Sequence, residues 1–186
     1  HEHLNTQQIQ AKHPISGQSQ NVNPLNRIIP EINRIKDETD AEKVFWWFWR
    51  FYPELLAEKQ KDALLFPAHR VIPDCPLHSY QSTVSALAGA MFPSGCESKR
   101  ETPYLLIFSF SPVQDFIKAS RKFVDFWAGS YLLHYLGARL CWLVAEKQGP
   151  DAVIVPSLWS QEIIDAFILK KYACFKDDFT QLHSGK

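Results

Sequence analysis

Hydrophobic positions in this chain come in blocks of different period, and each block predicts a different element. Residues 1 to 38 are polar and rich in Gln, Asn and Pro, so HPISGQSQNVNPLN reads as loop or partly disordered linker. Thr39-Asp40-Ala41-Glu42 has the form of a capping box, and EKVFWWFWRFY follows it as a helix. Aromatic residues ring that helix almost completely, so more than one face must be covered. A base-stacking platform needs aromatics exposed beside basic residues, and Arg50 is the one charge from Val44 to Tyr52. The pattern therefore predicts a core helix. Pro53 breaks or restarts it, and residues 54–65 continue it.

Prolines 67, 73 and 76 force an extended, irregular path before a helix over about residues 79–92. Ser85, Ala86, Ala88, Gly89 and Ala90 make that helix small-faced, open to close approach by another helix. SGCESKRETP, residues 94–103, is a polar linker and marks a domain boundary. Residues 1–100 should be mostly helical, and residues 101–186 α/β.

The second half starts with an apolar run of strand length at residues 105–110. Ser111 can cap the next helix, with Pro112 at its first position and Gln114 completing a capping box. Lys147, Gly149 and Pro150 are stop signals, and DAVIVPSL reads as a second strand. Strand, long helix, strand predicts a βαβ unit with parallel strands and a right-handed crossover. One straight helix of this length would span about 50 Å at ~1.5 Å per residue, which predicts a bend near Ala128-Gly129-Ser130. A short helix over residues 161–171, capped by Ser157 or Ser160, follows. Residues 177–186 carry no readable pattern.

Composition adds limits. With 186 residues, 46% of them hydrophobic, the chain can bury a core as one domain or two small ones. Formal net charge is zero, which excludes a global field drawing it to nucleic acid or membrane. No signal-peptide pattern or transmembrane-length apolar run is present, so the expectation is a cytoplasmic protein with no membrane partner. Cys75, Cys96, Cys141 and Cys174 form no CxxC pair, which argues against a zinc ribbon. Cys141, among Leu140, Trp142 and Leu143, reads as a buried reduced thiol. The chain begins at His1 rather than Met and ends in a polar tail, and so reads as a piece of a longer protein.

Two sets of residues suggest metal chemistry. His1 and His3 lie close together, although alternating histidines in a terminal segment read more simply as solvated. His69, Asp74 and His78 precede the small-faced helix and could converge on a divalent ion that activates water. The plainer account makes Asp74 the cap of a proline turn and leaves the histidines in ordinary polar surroundings.

Two ordered blocks carry a family resemblance. SPVQDFIKASRKFVDFWAGSYLL resembles the pattern GPVQ-x-FI-x-x-AR-x-x-x-D-x-W-x-GS-x-LL in the large subunit of type III CRISPR effector complexes, of the Cmr (III-B) type in particular. The matching positions are Pro112, Val113, Gln114, Phe116, Ile117, Arg121, Asp125, Trp127, Gly129, Ser130, Leu132 and Leu133. FWRFYPE with LLFPAHRVIPDCPLHSYQSTVSALAGAMFP is similar to the end of that subunit's helical HD domain. Together the blocks cover roughly residues 45–160.

The resemblance implies an α+β chain: an HD-like helical remnant over residues 1–100, then the start of a ferredoxin-like palm over residues 101–186. It implies RNA-guided antiviral defence with other Cmr-type subunits, CRISPR RNA and target RNA as partners. In the family, target RNA switches on synthesis of cyclic oligoadenylate from ATP at a second palm, and in many members a metal-dependent HD nuclease. ATP and a divalent metal are therefore cofactors of the intact protein. The HD pair and the Gly-Gly-Asp-Asp motif are both absent from this sequence, and Ser111 stands where the family often has Gly.

A palm that holds two metals needs carboxylates at the end of its first strand. That end here is Ser109-Phe110-Ser111, so this palm reads as non-catalytic. Its helix start can still favour an anion through the hydroxyls of Ser109 and Ser111 and the amides of Val113 and Gln114. Asp115 reads as a partner of the helix dipole, and Arg121 with Asp125 as an intrahelical pair. Against this stand two other readings: a stand-alone HD-type phosphohydrolase or nuclease using Asp74 and His78 with His69, and an interaction module with no nucleotide contact.

Overall fold

The computed structural model describes residues 9–12, 16–22, 34–69, 74–92 and 101–184. Two compact units divide the chain: residues 1–85 with 171–186, and residues 86–170.

The first unit is built on the aromatic helix α1 (Ala41–Arg50). Its cap is Asp40 rather than Thr39, and the Asp40 carboxylate accepts from the amides of Glu42 and Lys43. Thr39 is displaced because Glu38 takes up its amide and that of Asp40. A second helix, α2 (Tyr52–Lys59), restarts with Pro53 in its first turn, and a 3₁₀ turn (Lys61–Leu65) follows. Trp46, Trp47, Phe51 and Leu55 are buried, as a helix apolar all round requires. Their cover is aromatic: Tyr172 beside Trp46, and Phe175 and Phe179 edge-on to Phe51 at 5.4 and 4.7 Å.

Phe179 belongs to α7 (Lys176–Ser184), which the sequence pattern did not reveal. Phe175, Phe179 and Leu182 recur at four- and three-residue spacing, but they are hidden among charged residues. Arg50 is also buried, because Glu54 accepts from its Nη1 at 2.9 Å and the Phe51 and Phe179 rings flank its guanidinium.

One polar stretch expected to be loop is instead paired. β1 (Ile9–Lys12) and β2 (Ser19–Val22) are antiparallel, with Ile9 opposite Val22. Gly17, at φ +69°, lies in the connection, and Val22 is buried. Each strand is only four residues long, and of the two only β1, Ile9-Gln10-Ala11-Lys12, alternates, which leaves little for a pattern to find. The expectations for His1 and His3 fall outside the described residues, as do most of the 94–103 linker and Cys96.

Beyond a bridge between Pro67 and Pro76, α3 (Leu77–Met91) forms where a helix was expected. The boundary between the two units lies within it.

In the second unit residues 104–110 carry no regular secondary structure, and Tyr104, Leu106 and Ile107 are more than four-fifths exposed. A strand needs the hydrogen bonds of a second strand, and none lies beside this run among the described residues. The expected second strand likewise starts as a 3₁₀ turn (Pro150–Ala152) and then turns without pairing. The βαβ unit is thus not formed among the described residues, although its helix is present.

That helix is interrupted earlier than expected. α4 (Val113–Lys118) ends at Ala119, and α5 (Phe123–Gln148) starts after an extended Lys122. Residues 119–122, with Ser120, Arg121 and Lys122 polar, let α4 fold back, so that a Cβ on Gly129 would stand 3.6 Å from the Phe116 ring. Gly129, the expected bend, stays helical under that ring. The stop at the other end is as read: Gly149 has φ +94° and donates to the Ala145 carbonyl, and Pro150 is buried beyond it. α6 (Glu162–Lys171) closes the unit, with Phe167 against Tyr135 and Trp142.

Candidate functional site

The start of α4 differs from the capping box expected there. Pro112, in extended conformation, occupies the cap position, which puts Ser111 one residue outside the helix and leaves no side-chain cap. The Ser111–Pro112 peptide is cis. The first intrahelical bond runs from the Phe116 amide to the Pro112 carbonyl, 3.3 Å, so the amides of Val113, Gln114 and Asp115 precede it. Ser109, Ser111 and Gln114 are exposed, and Val113 is half-buried.

This is a donor-rich surface for a phosphate oxygen. Six residues give a weak helix dipole, however, and Asp115 in the first turn opposes an anion. Cations follow close by in Lys118, Arg121 and Lys122, all exposed. The expected pairing of Arg121 with Asp125 is not made, because Arg121 precedes α5 and helical spacing does not apply to it. These residues fit a hydrogen-bonding contact to one edge of a nucleotide rather than an enclosing pocket.

The second candidate lies at the start of α3. Asp74 is exposed in the turn ahead of the helix, and His78 is half-buried in its first turn. A ring nitrogen of His78 lies 3.3 Å from the Ser79 hydroxyl, and burial lowers the imidazole pKa, favouring the neutral form that ligates metals. His69 instead sets its ring edge-on against Tyr80 at 5.3 Å. No group of three or more His, Cys, Asp or Glu able to hold a metal occurs among the described residues. A metal at Asp74 and His78 would need further ligands from elsewhere.

A third feature was not legible in the sequence. Asp178 on α7, nearly buried, accepts from Arg34 Nη1 at 2.8 Å and from the Trp47 indole at 3.2 Å, both through Oδ1. An open cleft of about 260 Å³ lies beside this cluster, bordered also by Asp37, Glu38 and Cys174. Arg34 stands 144 positions from Asp178, and local spacing cannot signal such a contact. Carboxylates dominate the cleft and its arginine is already paired, so it offers neither an anion site nor a nucleophile with its base.

Cys75, Cys141 and Cys174 are free thiols, and burial raises the pKa of Cys141, in keeping with an unreactive half-buried thiol. No helix among the described residues is long and apolar enough to cross a membrane.

Comparison with known proteins bears on the α4–α5 region directly. Residues 105–184 match the family described as CRISPR-associated protein Cmr2, N-terminal. The protein named CRISPR system Cmr subunit Cmr2, from Pyrococcus furiosus, is 32% identical over 159 residues. That match takes in 75% of this chain and 16% of the relative, so the chain spans about one-sixth of the length of the protein it matches. No solved structure gives a match.

Proposed function

We propose that this chain, which belongs to the Cmr2 family, forms part of the large subunit of a type III-B CRISPR effector complex. In this reading residues 1–100 are the C-terminal part of an HD-like helical domain and residues 101–186 open a ferredoxin-like palm. The observation that carries it is the run at 105–110. It is apolar, of strand length, without a strand partner among the described residues, and it leads directly into α4 inside the family match. A palm starts with such a strand and takes its remaining strands from the rest of a longer polypeptide.

The partners that follow are other Cmr-type subunits, with CRISPR RNA and target RNA engaged through the complex. ATP is the nucleotide, and cyclic oligoadenylate signalling belongs to the intact protein. This palm is non-catalytic, because Ser109-Phe110-Ser111 offers no carboxylate to bridge metal ions. Its share is contact: the hydroxyls of Ser109 and Ser111 and the amides of Val113 and Gln114 hydrogen-bond one edge of a nucleotide held by the second palm. Asp74 and His78 are in the same proposal two ligands of a divalent ion whose other ligands come from the HD motif.

ATP titration of the full-length protein tests the contact. Ser111→Tyr carries the hydroxyl away from the chain and fills the space before α4 with a ring, and should weaken binding by roughly tenfold, the worth of one charge-assisted hydrogen bond. Unchanged affinity would remove this surface from the nucleotide site.

A further inference from the structure

α3 carries its apolar residues on its more exposed side. Leu77, Tyr80, Val84, Leu87 and Met91 recur at alternating spacings of three and four, the a and d positions of a heptad seam. At about 100° per residue, the five fall within about 80° of one another around the helix. His78, Ser79, Ser82, Ser85 and Ala86 lie on the opposite side. A surface helix ordinarily turns its apolar stripe inward and its polar residues to water. Here the opposite holds. The side with the three serines is half-buried, whereas Tyr80, Val84 and Leu87 are 42%, 46% and 47% exposed. Leu77 and Met91, at the ends of the seam, are half-buried, and His69 lies edge-on to Tyr80. The middle of the seam is costly to leave in water, at about 25 cal/mol per Å² of apolar surface.

The spacing specifies the shape of the cover. Side chains at a and d positions seat between residues of a facing helix, and the positions beside this seam are Gln81, Thr83, Ala88 and Ala90, all exposed and none bulky. Residues 77–91 contain no Asp, Glu, Lys or Arg. The flanking charges that choose a partner in a coiled coil of separate chains are therefore missing, as is the steering that brings separate molecules together. A stable complex of separate molecules also takes roughly 20–30 residues from each side, far more than this seam and its flanks supply. A helix tethered in the same polypeptide needs neither, because its effective concentration is already about millimolar. Such a tether is available, since the chain spans about one-sixth of the length of its Pyrococcus relative.

We propose that the seam of α3 is the docking face for a helix that precedes His1 in the full-length protein. This rests on the reading of residues 1–100 as the C-terminal part of an HD-like helical domain, whose other helices come earlier in the chain. It adds which side of α3 they cover.

The test uses full-length protein with photoreactive p-benzoylphenylalanine in place of Leu87 or of Gly89, and maps the cross-links by mass spectrometry. Gly89 lies on the side away from the seam, with nothing within 4 Å of an added Cβ, so it accepts the bulk. The Leu87 probe should join a segment ahead of His1 within one molecule, with roughly tenfold the yield of the Gly89 probe, because reach sets effective concentration. Hydroxyl-radical footprinting of the unaltered protein should show Tyr80 and Leu87 severalfold less modified than their exposure here predicts. Equal yields from the two probes overturn the assignment, as does a cross-link to a second copy, to another subunit or to residues after Lys186. So does modification of Tyr80 and Leu87 in proportion to that exposure. Amide exchange over the segment ahead of His1 separates the two levels of failure. Slow exchange there with Leu87 joined elsewhere leaves the HD-like reading standing and sinks the seam, whereas fast exchange throughout that segment sinks both.

Discussion

The chain holds two aromatic-rich helices of opposite fate. In α1 and at its C-cap the rings of Trp46, Trp47 and Phe51 are buried, because Tyr172, Phe175 and Phe179 return to cover them. In α5 Phe123 and Trp127 stay largely exposed, and Trp127 stacks on Tyr131 of the same helix at 5.7 Å. Both helices are apolar on more than one side, and composition does not distinguish them. What separates them is whether this chain supplies the covering layer.

The largest effect that comparison predicts is at the centre of the first unit. Phe51→Ala removes a ring packed against two others and should cost about 3–5 kcal/mol in urea unfolding of that unit. A cost under ~1 kcal/mol would mean that α7 does not cover α1 as described. In the second unit Trp142→Ala should cost about 3 kcal/mol, and Leu136→Ala under ~1 kcal/mol in this chain. Leu136 is 46% exposed and Trp142 only 4%, which is what should separate the two costs. Equal costs for Leu136 and Trp142 would break the comparison.

A smaller effect is expected from the charge inside the first core. Glu54→Ala strips the carboxylate from buried Arg50 and should cost about 2 kcal/mol, with Glu54→Gln recovering part of it. Unfolding midpoints of the two variants at equal ionic strength decide this.

How much of this was legible follows from what is local. α1, α3, α6 and the Gly149 stop are each set by residues within a few turns, and pattern reading finds them. The Ser111 cap and the bend at Gly129 were misplaced because tertiary contact decided them: Phe116 covers Gly129 and the polar link takes the break. In the hairpin of β1 and β2 the alternation Ile9-Gln10-Ala11-Lys12 is only four residues long and Ser19-Gln20-Asn21-Val22 does not repeat it, and in α7 Phe179 and Leu182 are hidden among Lys176, Asp177 and Asp178. Asp178 with Arg34 and Trp47 is long-range and carries no local trace. The 105–110 run was legible as a strand candidate, but its partner was not, since pairing is a property of two segments. The α4 surface was likewise legible as a set of donors, not as an enclosed site.

pH gives a further effect with a definite sign. Burial depresses the His78 pKa below 6.5, so folding favours neutral imidazole. Its contribution is present above the unfolded value and is lost as pH falls through 6.5 toward the folded value. Wild type should lose more stability than His78→Gln between about pH 7.5 and about pH 5.5. Glu42, held low by the Lys171 hydrogen bond, and Glu38, held low by the Asp40 amide, act in a separate window below 4.5. They therefore leave the histidine window clear. Equal slopes for the two proteins would show that His78 is not desolvated.

The smallest effect separates distance from burial. Lys171 reaches Glu42 at 2.7 Å and Arg34 reaches Asp178 at 2.8 Å, nearly the same length. Half of the Glu42 side chain is exposed, whereas Asp178 is nearly buried and also holds the Trp47 indole. Water and salt screen the first pair, so Lys171→Ala should cost under ~0.5 kcal/mol, and less at high salt. Arg34→Ala leaves a nearly buried carboxylate with the indole as its named donor, and should cost about 1–2 kcal/mol with little salt dependence. If the two variants lose stability equally at low and at high salt, burial is not what divides the covered helix from the uncovered one. The contrast between α1 and α5 would then need another cause.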